Sequence, residues 1–100
     1  MILKPGVKTR GLQPEMLLGL VIIDGVWTRM AIGPVVVTSI TDGKHGENSL
    51  HYKGQAVDIR IRDYLTETLG AVVNMCKESL GSDYDVVLEK DHIHVEYDPK

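Results

Sequence analysis

Ser49-Leu50-His51-Tyr52-Lys53-Gly54-Gln55-Ala56-Val57-Asp58 is the stretch from which the rest of the chain can be read. Its partner lies near the far end, Asp91-His92-Ile93-His94. The two hold three of the four histidines in a 100-residue chain. Imidazole nitrogen and carboxylate oxygen are the usual zinc ligands where thiolates are absent, and a catalytic zinc keeps three protein ligands and one open position. His51, Asp58 and one of His92 and His94 make such a set. Strand side chains alternate faces, so residues seven apart on one straight strand point opposite ways. His51 and Asp58 can share a metal only if the chain bends between them, and Gly54 is where a bend costs least.

Working outward, Ala56–Ile61 reads as a strand, and Thr41–Asn48, with two glycines and no apolar residue, as the loop that delivers His51. Before it, the β-branched run 35–40 reads as a buried strand. Pro14 suits the first turn of a helix over about 14–30, with Glu15 at its positive end. Leu17, Leu18, Val21, Ile22, Trp27 and Met30 are its expected core residues, with Gly25 a point of interruption. Residues 1–11 read as a polar lead. Beyond Asp58, Asp63 is placed to cap a helix over about 64–80 whose apolar face is Leu65, Leu69, Val72, Val73, Cys76 and Leu80, and Gly81 stops it. Residues 84–89 and 93–97 then form a hairpin about Lys90-Asp91. The sum is an α+β fold, a small mostly antiparallel sheet with helices packed on one side, read as one domain over residues 1–100.

Composition narrows the function. At 43% hydrophobic and 25% charged, with net charge −3, the chain offers no basic field for nucleic acid or an anionic membrane. Cys76 is the single cysteine, so no internal disulfide forms, and its apolar setting marks a buried thiol. The run Met16–Ile23 is too short to cross a bilayer. Met1–Gly6 has no run of signal-peptide length, so synthesis in the cytoplasm is expected; the chain is also expected to be a monomer.

The order Ser-x-His-x-x-Gly-x-Ala-x-Asp, then a terminal His-x-His, resembles the zinc D,D-carboxypeptidases and L-alanyl-D-glutamate endopeptidases of peptidoglycan. Those enzymes share their fold with the hedgehog amino-terminal signalling domain, to which residues 45–58 are especially similar. The resemblance covers about residues 35–97. It implies zinc held by His51, Asp58 and His94, with Asp91 as general base to the metal's water and His92 beside the reaction centre. His45, Ser49 and Lys44 are the candidate substrate contacts. His45, a histidine of the hedgehog pattern, reads equally as a substrate or supporting contact and as an exposed loop histidine. Ser49 reads as a ligand contact or a turn cap, and Lys44 as a point charge where the peptidases carry an arginine after the Thr-Ser strand end. The expectation drawn from the resemblance is a zinc peptidase cleaving peptidoglycan stem peptides, made in the cytoplasm and delivered to the wall, as phage enzymes are. The alternative is a non-catalytic, zinc-stabilised hedgehog-like binding module; the missing arginine and the match over residues 45–58 favour it, and the acid at Asp91 favours the enzyme. Glu89 and Glu96, as alternating strand residues, read as solvent-facing.

Overall fold

The computed structural model describes residues 1–41 and 50–99. In chain order these form β1 (Ile2–Leu3), α1 (Pro14–Met30), β2 (Val36–Ser39), β3 (Ala56–Arg60), α2 (Thr66–Leu80), β4 (Tyr84–Leu88) and β5 (His92–Tyr97). The five strands make one sheet in the order β1-β2-β3-β5-β4. Only β1 pairs in parallel, with β2; the other neighbours are antiparallel. The α+β class and the expected sheet are therefore present. β1 lies in the stretch read as a polar lead. Two exposed residues paired by backbone alone leave no hydrophobic pattern to read.

Alternation along the central strands decides what each face of the sheet carries. Val57, Ile59, Ile93 and Val95 are buried, and with Val37 and Val86 they join the inward residues of both helices in a single apolar cluster. The residues between them, Asp58, Arg60, His92, His94 and Glu96, are partly exposed. They belong to the opposite face. Helices thus cover one face of the sheet and leave the other for polar side chains.

Helix α1 begins where Pro14 predicts, but it runs unbroken through Gly25 and buries a different face. Met16, Leu20, Ile23, Val26 and Trp27 enter the core, whereas Leu17, Leu18 and Val21 are 52%, 57% and 59% exposed. The segment is apolar on most sides, so helical periodicity alone does not select a stripe. In α2 the expected inward residues are buried except Leu65, which is 71% exposed. Leu65, not Asp63, occupies the capping position, and no side chain caps the helix. The reason sits one residue earlier. Trp27 Nε1–H donates to the Tyr64 hydroxyl at 3.1 Å, and the two rings meet edge to face, which ties Tyr64 to α1 and keeps it out of the helix.

The bend inferred at Gly54 is present, with φ at +70°. Gly54 N–H donates to His51 O and Gln55 N–H to Leu50 O, closing a tight turn around residues 50–55. The lead segment then clamps it. Gln13 N–H donates to Gly54 O, and the Gln13 side chain to Lys53 O. A methyl group on Gly54 would collide with the Gly11 carbonyl. Gly54→Ala therefore combines a left-handed backbone with a clash against main chain. It is expected to cost at least about 1–3 kcal/mol, read as a lowered midpoint in denaturant unfolding.

Candidate metal centre

Three elements bring the expected ligands together. Asp58 stands in the middle of β3 and His94 directly opposite it on β5. The Gly54 turn swings His51 back over the same face, where it is 2% exposed, the one buried polar side chain among the described residues. Ligand atoms of His51, Asp58 and His94 all lie within 4.8 Å of one another.

The hydrogen bonds around these side chains settle which nitrogens face inward. His51 Nδ1 lies 2.7 Å from Ile40 O. A carbonyl only accepts, so Nδ1 carries the proton and Nε2 keeps its lone pair. That lone pair points at Asp58 Oδ1, 3.2 Å away. His94 is fixed the same way from its other side: Nε2 lies 2.8 Å from Glu96 Oε1, and Nδ1 lies 3.1 Å from Asp58 Oδ1. Two imidazoles with their outer protons committed thus aim lone pairs at one carboxylate oxygen. Only protons on the rings or a cation among the three groups makes that arrangement attractive. Outer acceptors that hold ligand histidines in one tautomer are the usual supports of a metal site. The donor set fits a divalent metal that accepts nitrogen and oxygen ligands.

Electrostatics follow the same geometry. Burial alone would raise the Asp58 pKa. With protons on the inner ring nitrogens in place of a cation, hydrogen bonds from His51 and His94, with the charges of His51 and His92, hold its carboxyl well below the usual carboxylate range. His94 moves the other way. The hydrogen bond to Asp58 raises its pKa against partial burial, with Glu96 adding to the rise.

Glu96 corrects the sequence reading. It was expected to face solvent, yet its side chain is 24% exposed and bonded to His94. The signal was available: two residues on from His94 along a strand, Glu96 shares its face. Removing an outer-shell partner of this kind typically costs 10–100-fold in metal affinity. Glu96→Ala is expected to lose about that much in a competitive zinc titration.

The remaining expected site residues divide. His92 Nε2 lies 3.5 Å from Asp58 Oδ1, so His92 adjoins the cluster without completing it. Asp91 sits in the bend between β4 and β5, outside the regular strand as the peptidase reading required. There it is 85% exposed and bonded to His92 Nδ1 at 2.5 Å, and that bond lowers its pKa. Lys44, His45 and Ser49 lie outside the described residues. The cations that the described residues set beside the cluster are Lys4, Arg60 and Arg62, which line a groove of about 330 Å³ with Thr38, Asp58, Asp91 and His92. Arg60 shares its face with Asp58 two residues earlier, a placement that alternation along β3 already contained.

A family model described as the hedgehog amino-terminal signalling domain matches residues 15–96, a span that takes in all three ligands. The chain belongs to that hedgehog family. It is also 42% identical over 53 residues to the Indian hedgehog protein of Gallus gallus, an alignment covering 53% of this chain and 13% of that protein. The expected peptidoglycan peptidase is corrected by these matches, which are to a signalling domain and a hedgehog protein. The placement as a cytoplasmic, wall-directed enzyme falls with it. The physical reason for the misreading is that a fold and a ligand triad do not fix an activity. His51, Asp58 and His94 belong equally to both readings, and the choice of enzyme rested on Asp91 alone. In this hedgehog domain the Asp91 carboxylate is exposed and engaged by His92.

Proposed function

We propose that this chain is a non-catalytic, zinc-stabilised binding domain of the hedgehog signalling type. Its partner is a protein that docks on the sheet face carrying His51, Asp58 and His94. The observation that carries the reading is the family match over residues 15–96. Zinc is favoured by two imidazoles and one carboxylate with no thiolate among them, and by the committed outer protons of both rings. When bound, zinc supplies a cross-link between the Gly54 turn and the β3–β5 pair. His51 and His94 keep their inner nitrogens unprotonated for it, while Ile40 O and Glu96 hold the rings in place.

On this reading residues 1–100 act as one monomeric unit in a signalling protein outside the cell. It binds neither nucleic acid nor membrane. The net charge of −3 supports the first part, and no helix among the described residues is long and apolar enough to cross a membrane. Metal analysis should find one zinc per chain, and the zinc-loaded domain incubated with purified peptidoglycan should release no peptide fragments by mass spectrometry. Fragment release that Asp91→Ala abolishes while zinc is retained would overturn the reading.

A further inference from the structure

The groove beside the metal centre has a character of its own. Lys4 is set at its rim by the backbone bond from Lys4 N–H to Val37 O. Arg60 enters from β3, where it pairs across the sheet with His92, and Arg62 follows two residues on. Among the described residues no carboxylate lies within ion-pair distance of any of these three cations. The two carboxylates in the groove are engaged by histidines, Asp58 by His51 and His94, and Asp91 by His92, which shares the lining. With neutral imidazole, three cations against two carboxylates leave one net positive charge, before any metal is counted. In a chain of net charge −3 this is a local concentration and not a consequence of composition.

We propose that this groove is an oxyanion-binding site, which takes a carboxylate or sulfate group carried by a small ligand or by the end of a larger one. Guanidinium presents paired N–H donors in a plane that matches two oxygens of such a group, and charge-assisted bonds of this kind are about twice as strong as neutral ones. Lys4 adds a point charge to the same lining. A volume of about 330 Å³ admits the anionic group with its attached atoms. The site stands on Lys4, Arg60 and Arg62 and does not depend on the identity of the metal.

The test is an NMR titration of the full chain, its zinc content measured beforehand, following the Nε–H signals of Arg60 and Arg62. Sodium sulfate and sodium acetate are the probes, with sodium chloride at matched ionic strength as reference. Saturable shifts with sulfate or acetate and none with chloride are expected. Saturation by sulfate identifies a tetrahedral oxyanion, and saturation by acetate alone a carboxylate. Arg60→Gln with Arg62→Gln should weaken binding about tenfold or more while leaving zinc content unchanged. Both positions lie outside the core, so the double variant folds, and its thermal unfolding confirms that. Shifts that do not saturate, that chloride reproduces, or that survive in the double variant overturn the proposal. A chain that lacks zinc yet binds sulfate through these arginines would retain the groove and defeat the zinc reading alone.

Discussion

Asp58→Asn is expected to lower zinc affinity by at least about 100-fold, beyond the 10–100-fold typical of outer-shell losses. Asparagine keeps the shape of the side chain, so His51 and His94 stay where the Gly54 turn and β5 hold them. What disappears is the negative charge at the point where both inner nitrogens converge. A competitive zinc titration reads the affinity, and thermal unfolding with and without chelator reads its consequence. Zinc at about 1,000 times its dissociation constant stabilises the folded state by about 4 kcal/mol. In a domain of this size that corresponds to a shift of about 15–30 °C. The parent protein should show a chelator-sensitive shift of that order, and Asp58→Asn at the same zinc concentration, now about ten times its dissociation constant, no more than about a third of it. Asp91→Ala serves as the control: Asp91 lies outside the ligand triad, so zinc content should be unchanged. Parent-like affinity in Asp58→Asn would remove Asp58 from the ligand set.

Much of this centre was readable from residue type and spacing. Spacing and a bend at Gly54 brought His51 and Asp58 together with one of His92 and His94, the resemblance chose His94, and ligand atoms of His51, Asp58 and His94 do lie within 4.8 Å of one another. Their outer shell was not readable as a whole. Ile40 holds His51 through a backbone carbonyl, which no side-chain pattern encodes. Glu96 was within reach of strand alternation, but a glutamate on an open sheet face more often meets water, and that expectation prevailed. The helices show the same division. Their extents followed from Pro14, Gly81 and periodicity, whereas the buried face of α1 did not, because Leu17, Leu18 and Val21 are as apolar as the residues that pack. The activity was least readable, since the triad is common to an enzyme and a signalling domain and only the family match over residues 15–96 separates them.

Acid should release the metal steeply. Zinc needs both imidazoles neutral, so each protonated ligand costs about tenfold in affinity per pH unit below its pKa. His94 starts above the ordinary histidine range, because Asp58 and Glu96 favour its charged form. Competition by protons therefore begins at a higher pH than for an ordinary histidine, and between pH 7.5 and 5 the affinity is expected to fall by at least about 100-fold. Asp58 stays ionised throughout, its pKa held far below this window. The metal-free protein responds with the opposite sign. A group whose folded pKa is raised, as for His94, lends stability that is full below its unfolded pKa and is lost as pH rises through the folded value. Asp58, with a depressed pKa, lends stability that is present above its unfolded value and is lost only as pH falls toward the folded one. At pH 5 both contributions are present without metal: a proton on His94 takes the place of the cation opposite Asp58. Unfolding midpoints of zinc-loaded and chelator-treated protein should then approach one another toward pH 5 and separate as pH rises through the raised His94 value, where the metal-free protein loses its proton-mediated contact to Asp58. A separation that is constant across this range would exclude imidazole ligation at His51 and His94.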